Sequence, residues 1–318
     1  MMHSRLVFCV LLVGYVLTSC QERSKYTDTP TSGSIAISAD ESFQPIIDAE
    51  VEAFMASYKY AKVKPIYASE DVAIALMLND STRFAVVSRN LTDKERKVFE
   101  DQKIKPRIVK IATDAVALIV NKKNPDSLLT MQELTQIFSG EADTWKKINN
   151  NNFDQKIMIV FDQSNSSNLN YIQQKFKLAD TRKINIFALK SNKEVIEYVE
   201  KNKNALGVIG VAWISDSGDN PAQQSFIDRV QVVGISEKEN QEGKHEYYQP
   251  YAAYLALKKY PLFREVFIIS KEARAGLGSG FMSYIASDKG QRIILKLGLL
   301  PATMPVRLVQ LNTKDLDI

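Results

Sequence analysis

Histidine, cysteine and tryptophan are scarce in this chain of 318 residues, with two of each. The histidines are His3 and His245. They form no cluster and no metal-ligand spacing, and neither is placed to act as the base for a serine nucleophile. The cysteines, Cys9 and Cys20, both precede the globular pattern. That excludes a disulfide, a thiolate metal site and a cysteine nucleophile in the body of the chain. Long apolar runs are just as scarce, and beyond residue 17 no stretch suffices to cross a bilayer. Lysine plus arginine (41) nearly balances aspartate plus glutamate (37), for a net charge of +4. With no basic run interleaved with aromatics, nucleic acid is not an expected partner. A hydrophobic share of 45% and a charged share of 25% describe an ordinary globular protein. The length admits two domains or one large one.

The N-terminus reads as a secretory leader: Met1 to Arg5 carry one positive charge, and Leu6 to Leu17 are almost wholly apolar. Leu17-Thr18-Ser19-Cys20 looks like a bacterial lipobox, an aliphatic residue and two small ones before the cysteine that is lipidated. The expectation is a leader over residues 1–19, lipidation at Cys20, and a polar tether over 20–33. The protein would then be extracytoplasmic, in the periplasm, and held to a membrane through its lipid alone.

From Ser34 onward, strands alternate with helices. Ser34–Ser38, Val63–Tyr67, Phe84–Val87 and Arg107–Ala112 read as strands, with amphipathic helical stretches between them. Thr92 with Glu95 is spaced as a capping box, and Gly140 fits the end of the helix over Thr130–Phe138. This alternation predicts an α/β fold with a mostly parallel sheet, in which ligands bind beyond the carboxyl ends of the strands. Ala115–Val120 is an apolar run that opens a new section, and Val230–Ile235 and Leu262–Ile269 read as further strands.

Three turns at such strand ends carry a hydroxyl: Ser42, after the break Ala39-Asp40-Glu41, then Ser69 and Ser88. A fourth is richer. Asp162-Gln163-Ser164-Asn165-Ser166-Ser167 lies between the buried-strand pattern Ile157–Phe161 and a helix carrying Leu169, Ile172 and Phe176. A helix start presents unpartnered backbone N–H groups at the positive end of its dipole, so serines there make a neutral cradle for an oxyanion. The competing reading is that Ser166 or Ser167 simply caps the helix.

Several stretches in shared order resemble one family, the phosphate-binding proteins of ABC transporters, the PstS-like branch of the periplasmic binding proteins. They are Asp114–Asn121 followed by Asn124-Pro125, Leu134 through Gly140 followed by Trp145, Ala205–Gly210, Tyr260-Pro261-Leu262, and Phe281–Gly290. The resemblance implies a two-lobed periplasmic-binding-protein fold of type II with the ligand cleft between the lobes. Lobe one would be residues 34–112 and 252–318, and lobe two residues 113–251, with hinges near Ala112-Thr113 and Pro250-Tyr251. It implies a binding protein rather than an enzyme, without a cofactor, that captures inorganic phosphate for an ABC permease in the inner membrane and needs only one chain.

Carried over position by position, the resemblance makes Ser42, Phe43, Ser69, Glu70, Ser88, Arg89, Asn165, Ser166 and Ser167 the phosphate-binding set. The chain departs from the family at two places. Ala68-Ser69-Glu70-Asp71 stands where many relatives have a glycine-rich turn. Its carboxylates would either repel a dianion or, at Glu70, accept the proton of monohydrogen phosphate. The arginine often found just before the central turn is missing, and Arg89 is either its replacement or a surface arginine. Two rivals stay open: a binder or sensor of another small oxyanion or phosphorylated metabolite without a permease, and an extracytoplasmic phosphatase. Trp145 and Trp213 read as packing residues. Tyr247 and Tyr248 either line the cleft or cover the hinge.

Overall fold

The computed structural model describes residues 27–149, 153–178, 184–215 and 228–305. The expected leader, Cys20 and the tether as far as residue 26 lie outside the described residues, as do the polar loop after residue 215 and the tail beyond 305.

In chain order the first half is β1 (Ser32–Asp40), a 3-10 turn (Glu41–Phe43), α1 (Gln44–Ser57), β2 (Tyr60–Ala68), α2 (Glu70–Leu78), β3 (Phe84–Val87) and α3 (Asp93–Asp101). A long strand, β4 (Arg107–Asn121), leads out of it. Then come β5 (Leu128–Thr130), α4 (Met131–Ser139), the short α5 (Lys146–Asn149), β6 (Met158–Phe161), α6 (Ser167–Lys175), β7 (Ile186–Ala188), α7 (Asn192–Lys201), β8 (Ala205–Gly210), β9 (Val230–Val232) and β10 (Gly234–Ser236). The chain returns through α8 (Ala252–Ala256) and β11 (Phe263–Ser270), and closes with α9 (Leu277–Ile285), α10 (Asp288–Lys296) and β12 (Leu300–Pro301). Among the described residues no helix is long and apolar enough to cross a membrane.

One sheet runs through both halves in the order β2-β1-β3-β11-β4-β8-β6-β7. It is parallel within each half, where β1 pairs with β2 and β3, and β6 pairs with β7 and β8. Through the middle it is antiparallel: β11 pairs with β3 and β4, and β4 with β8. The expected mostly parallel sheet is therefore corrected at its centre. The chain leaves the first half along β4 and returns along β11, so these two strands must run in opposite senses.

The stretches Arg107–Ala112 and Ala115–Val120, read as a strand and a new section, form one continuous strand. Arg107–Ala115 pairs with β11, and Val116–Val120 with β8. No glycine or proline interrupts it, and the polar Asp114 in its middle has a partner on β11, so nothing forces a break. The expected strand over Val230–Ile235 is in turn split. β9 pairs with β4, while β10 pairs with β5 in a separate two-stranded sheet.

The N-terminal boundary also shifts. Asp28, expected in the tether, is half-buried: its side chain accepts from Leu277 N at 2.8 Å at the start of α9 and pairs with Arg274. A carboxylate at a helix N-terminus is stabilised by the free N–H groups and the dipole there, and β1 begins at Ser32 rather than Ser34.

One continuous core runs through both halves, with an aromatic cluster in each. In the first, Phe54 meets Tyr58 and Phe281 at 4.9 Å and Tyr284 at 5.3 Å between centroids. In the second, Phe138 packs on Phe176 at 4.7 Å. Trp145 is buried there and donates Nε1 to Asn204 O at 3.0 Å, and Trp213 is buried in the turn after β8. Tyr248 pairs with Ile235 in an isolated bridge and packs at a tilt against Tyr254, and its hydroxyl is taken by Glu246 and Lys259. Gly207 on β8 lets α7 approach: a Cβ there would lie 2.7 Å from Val199 Cγ2 and 2.9 Å from Val195 Cγ1. That approach sets the start of α7 beside the end of β8, where the candidate site lies.

Candidate functional site

The carboxyl ends of β1, β6 and β8 meet at the junction of the two halves. Gly210 closes β8, and a Cβ on it would lie 3.1 Å from Ser42 O, so glycine allows the β1 turn to seat against β8. Around this point lie the 3-10 turn Glu41–Phe43, the first residue of α6 (Ser167) and the first residue of α7 (Asn192). Each brings backbone N–H groups without a helical partner.

Those donors are taken by side chains from the first half. Asp40 accepts from Ser42 N at 3.0 Å, from Ser167 N at 3.3 Å and from Ser167 Oγ at 2.6 Å. Glu41 accepts from Asn192 N at 3.3 and 3.2 Å and from Asn192 Nδ2 at 2.5 Å. Two consecutive acids thus reach two different helix starts across the junction. Asp40 ends the extended strand and Glu41 opens the tight turn, which sends their side chains toward different neighbours. Asp162, just past β6, accepts from Ser42 Oγ at 3.4 Å and from Asn192 Nδ2 at 3.1 Å. Asn192 Oδ1 in turn accepts from Gly210 N at 3.2 Å.

The positive charge comes from Arg264 on β11. It is 5% exposed, donates Nε to Asp114 Oδ2 at 2.9 Å and Nη1 to Ser167 Oγ at 3.0 Å, and lies over the Phe43 ring at 5.1 Å. Burial is the leading influence on the acids here. It raises Glu41 to about 8, with the Asp162 charge adding and the Asn192 bonds opposing. It also raises Asp162, with Asp40 as the next contributor, and it raises Asp114 against the pull of Arg264. Burying a charge without full compensation disfavours the charged form.

All of the expected residues but Asn165 fall into two groups. Ser42, Phe43, Ser166 and Ser167 are buried at the junction. Ser166 caps α6, accepting from Leu169 N at 3.2 Å, so the capping reading holds for it. Ser167 is turned toward the first half. Asn165 and Ser164 are exposed on the turn and enter none of these contacts.

Ser69, Glu70, Ser88 and Arg89 form a separate corner at the ends of β2 and β3. Glu70 is buried, and its Oε1 accepts from Ser88 N at 2.6 Å and Ser88 Oγ at 2.9 Å. Its pKa is raised by burial first and by the Asp40 charge second. Ser69 precedes α2 without a side-chain cap bond. Arg89 donates to Glu95 Oε1 and Oε2 at 2.9 Å each and to Asp71 Oδ1 at 2.7 Å, and it lies 3.5 Å from Glu70 Oε2. Its guanidinium is thus committed to carboxylates of its own corner. Arg264, Asp114, Asp40, Glu41 and Asn192 were not anticipated as site residues. The only local signals were an arginine and an aspartate inside apolar strand patterns, and such residues need a buried partner.

Chemically, the junction offers N–H groups of two helix starts and a tight turn, two serine hydroxyls and one guanidinium. That donor set suits a small oxyanion. Beside it stand the carboxyls of Asp40, Glu41, Asp114 and Asp162. Among the described residues no group of three or more His, Cys, Asp or Glu side chains is placed to hold a metal ion.

Two α/β halves around a buried polar junction define a two-lobed binding-protein architecture, and the comparisons with known proteins agree. The chain belongs to the PBP superfamily, whose domain matches residues 24–289. It is 28% identical over 264 residues to the phosphate-binding protein PstS of Staphylococcus epidermidis, covering 81% of this chain and 80% of that one. A putative phosphate ABC transporter substrate-binding protein from Clostridium perfringens, solved with bound phosphate, superposes with a TM-score of 0.70 at 22% identity, covering 85% of this chain and 100% of that one. An ABC-type phosphate transport receptor from Vibrio cholerae superposes with a TM-score of 0.60 at 22% identity, over 85% and 100%.

Proposed function

We propose that this protein is an extracytoplasmic solute-binding protein that captures inorganic phosphate for an ABC importer, held to its membrane by a lipid on Cys20 and acting as a single chain. The observation that carries the reading is the convergence of Ser42, Ser167 and the start of α6 with the Arg264 guanidinium, donors from both halves aimed at one buried point. Relatives bearing phosphate-binding names support the choice of anion. The lobes would divide along β4 near Ala112-Thr113 and again near Pro250-Tyr251, with closure as a hinge motion about the shared strands. The site is read as one for binding rather than catalysis: the serines face carboxylates and a guanidinium, and His245 lies elsewhere, 3.2 Å from Ser236 Oγ.

The surplus of carboxyls favours one alternative, a phosphorylated metabolite that brings further donors of its own. Titration calorimetry on protein stripped of bound anions tests both. The expected result is a heat of binding with phosphate and none with sulfate, which has no proton to donate near neutral pH. Folded protein that binds neither would remove inorganic phosphate as the ligand.

A further inference from the structure

Asp40 and Glu41 occupy the very donors that the proposed ligand needs. Asp40 has its two oxygens on three donors, one from its own turn and two from α6 in the other half. Glu41 has both oxygens on Asn192 N, at the start of α7, and one also on Asn192 Nδ2. Each of these helices has at least nine residues and presents the positive end of its dipole. A carboxyl group resembles two oxygens of a tetrahedral oxyanion in shape and in hydrogen-bonding capacity, so it satisfies the same N–H groups. We infer that Asp40 and Glu41 are built-in ligands of this cleft, which latch the two halves together and must be displaced when an oxyanion enters. The displacement half of this inference rests on the function proposed above, whereas the latch does not.

The surroundings make displacement, rather than sharing, the outcome. Asp40 faces Glu41 on its own turn, Glu70 on α2, Asp114 on β4 and Asp162 after β6, with Arg264 on β11 as the opposing charge. An oxyanion added to that group would set its oxygens against carboxyl oxygens on most sides, acceptor facing acceptor, with the shared donors already taken. Once the Asp40 carboxylate swings away, Ser42 N, Ser167 N and Ser167 Oγ are released together and Arg264 stays in place through Asp114. The affinity of the cleft is then set by the fraction of time the latch is open, since a ligand that binds only the released form is weakened by that fraction.

Two measurements on purified protein stripped of bound anions test this. The first is the radius of gyration from small-angle X-ray scattering, for the parent, Asp40→Asn, Asp40→Asn with Glu41→Gln, and Ser167→Ala. The expected result is a compact parent, expansion in the double variant, and a shift in the same direction for Ser167→Ala, which cuts the latch from the other half. Circular dichroism confirms that each variant is folded. A folded double variant as compact as the parent overturns the latch, whatever phosphate does. The second measurement is the phosphate titration repeated on Asp40→Asn. If the latch is closed about 90% of the time, removing it tightens phosphate binding by about tenfold. Expansion of the variants with affinity unchanged overturns displacement. Expansion with no phosphate binding by any form leaves the latch standing and removes phosphate as the ligand.

Discussion

Two arginines flank the cleft, and they are satisfied in opposite ways. Arg89 is half-buried in a corner of the first half and shares its charge among Glu95, Asp71 and Glu70. Arg264 is almost wholly buried, with one carboxylate, Asp114, and a hydroxyl of the other half as its partners. The first sits beside Ser88 in the chain and read as either the charge of an anion site or a surface arginine. The second lies far along the chain, in the return strand. A guanidinium held by three acids of its own corner is already neutralised there, whatever its sequence neighbours suggest. A guanidinium with one buried acid and remaining N–H capacity at a junction is the one equipped to meet a ligand.

The comparison predicts unequal costs. Arg264→Met should produce the largest loss, roughly 3–5 kcal/mol of unfolding free energy in a urea titration, because it leaves Asp114 buried and unpaired. The double variant Arg264→Met with Asp114→Leu should recover much of that loss. No recovery would mean that Arg264 stabilises mainly through Ser167 and Phe43.

A third buried group sharpens the contrast because its carboxylate has no hydrogen-bond partner. Glu50 on α1 is fully buried, both oxygens lack partners, and burial raises it from 4.5 to about 8. With its folded pKa above its unfolded one, the native state holds the proton longer than the unfolded chain does. Stability therefore falls as pH rises from about 4.5 to about 8. Glu50→Gln should leave stability nearly unchanged at pH 4 and raise it by up to a few kcal/mol at pH 8, at ~1.4 kcal/mol per pKa unit as an upper bound. Thermal melts at the two pH values check this, and a gain equal at both would contradict it. The smallest effect is expected for Arg89→Ala. Glu95 and Asp71 remain in reach of water and the buried Glu70 keeps its two bonds from Ser88, so the loss should be about 1 kcal/mol or less and should shrink further in high salt.

What the sequence revealed depended on how local each signal was. The capping box of Thr92 and Glu95 and the left-handed cap at Gly140, with φ at 80°, were legible because both ends of each signal lie within a few residues. The helices and most strands followed from apolar periodicity. Ser42, Ser166 and Ser167 were singled out because strand-end turns of an α/β sheet are the usual place for ligands, and Phe43 only through the family resemblance. Asp40 and Glu41 read only as residues that break a strand, since nothing nearby announces a bond to a helix start in the other half. The same holds for Arg264 with Asp114. The antiparallel centre of the sheet was also hidden, because a strand pattern carries no direction.

The shared sheet has a consequence for how the protein is made. β3 finds its second neighbour in β11, and the first part of β4 finds its neighbours in β11 and β12, all produced after the entire second half. A chain emerging from its N-terminus therefore cannot finish the first half before the second has been synthesised. The second half has its own parallel strands β6, β7 and β8 against β4 and is free to consolidate earlier. Until β11 arrives, β3 carries an open edge of four apolar residues, Phe84-Ala85-Val86-Val87, on which another strand could pair wrongly. The late arrival of one strand thus sets both the order of assembly and the interval in which the nascent chain needs protection from aggregation.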